Sequence, residues 1–123
     1  MNNKIAILLL VCLSLIAVST TVLADTDISD GNFTYDNVRV IYSNGDEIKI
    51  LGEMTNNSGK DYDLIQFTIT LYDFSDEILE AEEFFISNLN NEETKTFKKT
   101  IYKDYSTYHH DFKIQFDDGI VKK

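Results

Sequence analysis

The residues best suited to chemistry lie in one short stretch, YSTYHHDF, which contains both histidines of the chain. Ser106, His109 and Asp111 are the residue types of a nucleophile, its base and an orienting acid. No glycine-flanked elbow of the kind found in serine hydrolases surrounds Ser106. His109 and His110 could ligate a metal, but adjacent residues of a strand point to opposite faces, and no further histidine completes a shell. The stretch therefore predicts no catalytic residue, no metal site and no cofactor.

Two acidic groups are the other candidates for binding. The first comprises Asp25, Asp27, Asp30 and Gly31, in which the third acid and the glycine come one position late for a calcium loop. A solvated N-terminus is the simpler interpretation. The second group surrounds a predicted turn and consists of Asp73, Asp76, Glu77, Glu80, Glu82 and Glu83. A charged strand edge that opposes aggregation explains it, and a weak site for a divalent cation or small ligand is the alternative.

The charge of the chain excludes some partners. Asp and Glu number 21 against 11 Lys and Arg, which gives a net charge of −10 at pH 7. Such a surface repels phosphate groups, so nucleic acid and anionic lipid headgroups are not expected partners. The single cysteine, Cys12, lies in the apolar N-terminal segment, so a processed chain would fold without a disulfide.

That N-terminal segment predicts export. Lys4 precedes an apolar run, Ile5–Val18, and Val22-Leu23-Ala24 has the small-x-small pattern of a signal-peptidase site. We predict a signal peptide over residues 1–24 with cleavage after Ala24. The alternative is an uncleaved membrane anchor, because about 20 apolar residues can cross a bilayer. Both interpretations predict that the rest of the chain is secreted or lies on the extracellular face of the cell membrane. Contact with the membrane is expected only through this segment.

After an acidic leader at residues 25–32, residues 33–123 are predicted to form one domain. Apolar residues there recur at every second position, which is the period of a strand with one buried face. The four clearest segments contain Val38, Val40 and Tyr42; Ile48, Ile50, Gly52 and Met54; Ile65, Phe67, Ile69 and Leu71; and Phe112, Ile114 and Phe116. This pattern predicts antiparallel strands around a shared core.

Turn residues separate these segments at intervals of about ten residues, which is typical of a sandwich or barrel. The predicted turns are Asn44-Gly45, Asn56–Asp61 and Phe116–Val121. In the segment DEILEAEEFFISNL, Ile78 and Ala81 have helical spacing, whereas Phe84 and Ile86 alternate. We predict a strand, because aromatic and β-branched residues close the segment.

Tyrosines and asparagines are the remaining candidates for a surface role. Tyr102, Tyr105 and Tyr108 follow one another closely, and tyrosine is common both in recognition surfaces and in strands that half cover a small core. Asn32 and Asn56 each begin an N-glycosylation sequon. Whether either sequon is used depends on the host.

Several of these residues together resemble the FxLYD domain, a family of exported or membrane-tethered prokaryotic proteins. The matching positions are Gly52, Met54, Asn56 and Ser58; Leu71, Tyr72 and Asp73; and Leu89, Glu92 or Glu93, and Phe97. The chain departs from the family pattern at Ile69, where phenylalanine is usual, at Asp76, where glycine is usual, and at Asn90-Asn91, where Pro-Gly is common. The resemblance implies an immunoglobulin-like antiparallel β-sandwich of about seven strands without enzymatic activity, in which the motif residues are structural.

The sequence thus predicts a non-enzymatic exported or cell-surface module that binds another protein of the cell envelope. The alternative is a small-ligand or divalent-cation domain that uses the acidic loop after Leu71-Tyr72-Asp73. The partner and the oligomeric state do not follow from the sequence.

Overall fold

The structure, a computed structural model, describes residues 26–27, 31–43, 46–104 and 107–123. These residues form antiparallel strands and contain no helix, and so none that could cross a membrane. The strands are β1 (Thr26–Asp27), β2 (Phe33–Ser43), β3 (Glu47–Asn56), β4 (Tyr62–Tyr72), β5 (Ile78–Leu89), β6 (Thr94–Tyr102) and β7 (Asp111–Val121). The predicted fold class, an all-β antiparallel sandwich of about seven strands, is confirmed.

The strands form two sheets. Sheet A has the order β1-β2-β3-β6 and sheet B the order β5-β4-β7. The chain crosses from one sheet to the other after β3, β5 and β6. The division into four and three strands is that of immunoglobulin constant-type sandwiches, but the strand order differs, because the larger sheet there holds the first, second, fifth and fourth strands. The predicted signal peptide and the predicted turn at Asn44-Gly45 lie outside the described residues.

The core fills the space between the sheets because the inward faces alternate as predicted. In β3 and β4, buried residues occupy every second position, as Ile50 and Phe67 illustrate. Aromatic rings join the layers: the Phe67 ring centroid lies 5.4 Å from that of Phe33 in sheet A, and the Phe84 ring centroid lies 4.8 Å from that of Phe97 in sheet A. Burial of such rings is the main stabilising contribution.

Bulges interrupt this alternation in β2, β4, β5 and β7. Asn37 adopts a φ of 53° where the β2 register shifts, and Leu79 is the extra residue of β5. The prediction of a turn at Phe116–Val121 is wrong, because β7 continues to Val121 and Asp117 is the extra residue of a bulge. Asp and Gly suit both a turn and a bulge, so the sequence does not distinguish the two.

The ambiguous segment is a strand, β5, so this prediction is confirmed. It forms an edge of sheet B, next to β6 at the edge of sheet A. Glu80 and Glu82 lie opposite the core residues Leu71 and Ile69, and Lys95 donates hydrogen bonds from Nζ to backbone carbonyls of β5. Charged side chains on the inner side of an edge oppose pairing with another chain.

Two described residues of the acidic leader differ from the solvated N-terminus that we predicted. Thr26 and Asp27 pair with Tyr35 and Thr34 and extend sheet A as β1. Backbone pairing of this kind needs no particular side chain, so the composition of the leader does not reveal it.

Candidate functional site

The connections between strands gather at the two ends of the sandwich. One end holds the β3–β4 and β5–β6 connections, residues 57–61 and 90–93, and we call it the asparagine end. The other holds the β4–β5 turn, residues 73–77, and the described residues 103–104 and 107–110 of the β6–β7 connection. We call it the tyrosine end. The sequence-predicted residues are divided between them.

Asn56 organises the asparagine end. It is 0% exposed and is the only fully buried polar residue of the described chain. Its Nδ2 donates to the carbonyl oxygens of Lys60 (2.8 Å) and Leu89 (3.1 Å). Its Oδ1 accepts from the backbone N–H (2.9 Å) and the hydroxyl (2.6 Å) of Ser58. The backbone N–H of Asn56 donates to the carbonyl oxygen of Glu93 at 3.0 Å. Through its side chain and its backbone N–H, Asn56 therefore joins the β3–β4 connection to the β5–β6 connection.

This geometry bears on the two sequons. The Asn56 amide nitrogen is buried and engaged in two hydrogen bonds, so a glycan attached there is incompatible with this fold. Asn32 is exposed next to the first residue of β2. The structure therefore separates two sequons that look equivalent in the sequence.

Gly52 and Phe97, the most distant members of the motif, meet across β3 and β6. They face each other in the register, and a Cβ added to Gly52 would lie 2.7 Å from the Phe97 ring and 3.0 Å from Val38. Glycine is needed because the aromatic ring covers the backbone at this point. The role of this pair is packing.

Asp73 builds the turn that follows β4. Its Oδ1 accepts the backbone N–H groups of Ser75 (2.8 Å) and Glu77 (3.0 Å). Its own N–H donates to the carbonyl oxygen of Glu77 at 2.9 Å. Asp76 adopts a φ of 60°, which explains why glycine suits this position. Leu71 is buried and Tyr72 is half-buried just before the turn. The carboxylate of Asp73 thus holds the hairpin together.

His109 contacts Tyr42 from the opposite sheet. The Tyr42 hydroxyl lies 2.9 Å from His109 Nδ1 and accepts the backbone N–H of His109 at 2.8 Å. The hydroxyl can donate to Nδ1 or accept from it, and the tautomer of the imidazole sets the direction of this hydrogen bond. The ring centroids are 5.7 Å apart and nearly parallel. Tyr42 and His109 are 67 positions apart in the chain.

Burial lowers the pKa of His109, while the Asp111 carboxylate partly opposes the shift and His110 adds to it. The neutral form is thus favoured in the folded protein. His109 and His110 precede β7, so our assumption that they lie within a strand is wrong. His110 instead packs against Phe74, with ring centroids 4.8 Å apart and ring planes tilted by 35°.

The described residues show no arrangement that would support the catalytic or metal-binding alternatives. Ser106 and Tyr105 lie outside the described residues, and Asp111 Oδ1 accepts the backbone N–H of Phe112 at 2.8 Å. In the described segments, no group of three or more His, Asp or Glu could hold a metal ion. The acidic residues after β4 therefore do not converge on a cation site there.

A cavity of about 160 Å³ opens at the tyrosine end between the two sheets. Ile48 and Leu71, both nearly fully buried, contribute apolar wall, as does Leu79. The polar lining includes Glu80 and Lys103, whose Oε2 and Nζ form an ion pair at 2.9 Å. The remaining lining residues are Tyr42, Asp104 and Thr107. The sequence did not indicate this cavity.

Aromatic side chains are exposed at the same end. Tyr102, Phe74 and Tyr108 are 80%, 76% and 60% exposed, and the Tyr108 ring packs edge-on against Tyr42 at 4.6 Å. By contrast, Tyr35 and Tyr62 are core residues. Sequence reasoning named the tyrosines but missed Phe74, although its position in an acidic turn was a signal, because a core residue is not expected there.

Comparison with known proteins supports the fold. No protein-family model matches the chain, and no curated protein matches it. The chain is similar to the crystal structure of a DUF1425 family member from Shewanella sp. pv-4, with a TM-score of 0.50 and 14% sequence identity. The match covers 81% of this chain and 96% of that chain. At this identity the likeness shows a shared β-domain fold.

Proposed function

We propose that this chain is a non-enzymatic exported or cell-surface module that binds a protein of the cell envelope through its tyrosine end. The observation that carries the proposal is the high exposure of Phe74, Tyr102 and Tyr108 in a small β-sandwich. Large aromatic side chains on the loops of a sandwich supply rigid contact area and are enriched at binding interfaces. Burial of these rings against a partner would stabilise a complex.

The sequence supports the same proposal. The N-terminal pattern predicts export, and the motif from Gly52 to Phe97 resembles the FxLYD domain of exported or membrane-tethered proteins. The negative charge of the chain favours a partner with a basic surface.

Cross-linking on intact cells, followed by recovery of the tagged protein, tests the proposal. The test variant carries Phe74→Ser, Tyr102→Ser and Tyr108→Ser. The control carries Leu64→Ser, Phe85→Ser and Ile120→Ser, which remove exposed apolar residues from the outer face of sheet B. We expect the test variant to reduce recovery of one defined partner by at least about tenfold, because aromatic contacts are frequent hot spots. The control variant should recover it as wild type does.

Two results would contradict the proposal. Loss of the partner in the control alone would move the binding surface to sheet B. If the wild-type protein repeatedly recovers no partner and is a monomer in solution, the proposed interaction function itself is contradicted.

A further inference from the structure

The bulge in β5 shapes the cavity at the tyrosine end. Leu71 pairs with Glu80 and Tyr72 pairs with Ile78, so Leu79 has no partner in β4. A bulge breaks the alternation of side chains and redirects them. Leu79 consequently packs against the core cluster while its neighbour Glu80 also lines the cavity. Two consecutive side chains thus form one wall.

The size of the cavity limits what can enter. Apolar cavities of about 150 Å³ accept a benzene molecule, and this one measures about 160 Å³. It therefore accommodates one aromatic ring or one branched aliphatic side chain. Ile48, Leu71 and Leu79 provide the apolar surface that such a group would contact.

The charges around the cavity favour a cation next to that group. The Nζ of Lys103 is engaged by Glu80 and also donates to the carbonyl oxygen of Leu79 at 3.2 Å. The exposed Asp104 adds a second carboxylate. Two carboxylates and one ammonium group therefore line the cavity, in a chain whose net charge is −10. A positive charge at this place is attracted and a negative one repelled.

From these observations we infer that the cavity receives one large apolar side chain of the partner protein, with a lysine or arginine beside it. This inference rests on the proposed interaction function and specifies the chemistry of the partner. The exposed aromatic rings of the tyrosine end would surround the anchor and exclude water from it.

Titration with two small probes tests the inference on the purified protein. 2-Phenylethylamine carries a ring and an ammonium group, and 3-phenylpropionate carries the same ring with a carboxylate. We expect the amine to bind at millimolar concentration and to shift the NMR methyl signals of Ile48 and Leu79. The carboxylate should bind at least about fivefold more weakly, which is the effect of one exposed charge pair at contact distance.

A matched pair of variants locates the site. Leu79→Trp fills the cavity and should abolish amine binding, whereas Ile78→Trp alters the exposed neighbouring residue and should retain it. If Leu79→Trp lowers the melting temperature, Thr107→Trp blocks the cavity from an exposed lining position and takes its place.

Each outcome decides a part of the inference. Absence of amine binding to the wild-type protein, or amine binding by both Leu79→Trp and Thr107→Trp with wild-type affinity, overturns the anchor site. Equal affinity for both probes overturns the inference that a lysine or arginine of the partner lies beside the apolar side chain. A partner that is lost with the Phe74, Tyr102 and Tyr108 substitutions but retained by Leu79→Trp would leave the proposed function standing without the anchor.

Discussion

The two ends of the sandwich differ in how their polar groups are used. At the asparagine end, one fully buried amide satisfies four hydrogen bonds and joins both connections. At the tyrosine end, Asp73 holds only its own turn, while exposed rings and a cavity occupy the rest. A buried network stabilises a unique structure, whereas exposed apolar surface does not. The difference indicates that one end maintains the fold and the other is available for binding.

Removal of Asn56 should have the largest effect. In Asn56→Ala, the carbonyls of Lys60 and Leu89 and the backbone N–H of Ser58 lose a buried partner. We expect the free energy of unfolding, measured in urea, to fall by about 3 to 5 kcal/mol. The control Asn57→Ala removes an exposed hydrogen bond of 3.2 Å and should cost less than about 1 kcal/mol. Similar losses in the two variants would contradict the central role of Asn56.

Removal of Asp73 should have a smaller effect, confined to the tyrosine end. Asp73→Ala deletes the acceptor of two backbone N–H groups in an exposed turn, so we expect a loss of about 1 to 2 kcal/mol. Asp73→Asn keeps an oxygen acceptor and should lose less. An unchanged melting temperature in Asp73→Ala, combined with loss of partner binding, would show that Asp73 contacts the partner instead.

Replacement of Asp76 should stabilise the same turn slightly. Its φ of 60° is costly for residues with a Cβ. Asp76→Gly removes this cost but increases the freedom of the unfolded chain, so a net gain of up to about 1 kcal/mol is expected. The measurement is the midpoint of urea unfolding. A loss of stability would mean that the Asp76 side chain contributes more than its backbone strain.

The smallest effect should be a pH dependence due to His109. Its pKa is lowered by folding, so the unfolded chain binds the proton first. The stabilisation is present above the unfolded pKa of 6.5 and is lost as the pH falls through the folded pKa. His109→Gln should reduce the slope of stability against pH as the pH falls below about 6.5. His110→Gln serves as the exposed control, and an equal change in both variants would exclude His109 as the source.

The strand pattern was predictable because each strand carries its own signal. The alternation around Ile50 and Phe67 identifies the buried faces, and β5 was predicted correctly despite its mixed spacing. The turn at Phe116–Val121 was not, because Asp117 and Gly119 fit a bulge equally well. Local chemistry does not reveal whether a chain reverses or continues; pairing with β4 decides it.

The candidate site was predictable only in part. Tyr102 and Tyr108 were named as recognition residues, but the sequence gives Tyr35 and Tyr62 the same standing, although both belong to the core. The cavity depends on the bulge at Leu79 and on an ion pair between β5 and Lys103. Both features arise between separate strands, so no local pattern announces them.

By itself, the sequence determined the buried faces of the clearest strands, the acidic character of the chain and the apolar N-terminal segment. A period of two and a charge count are local properties and can be read without a fold. Only the tertiary structure decided that Asn56 is buried between two connections and that His109 meets Tyr42. Those contacts join residues that are far apart in the chain, so they exist only once the two sheets have packed.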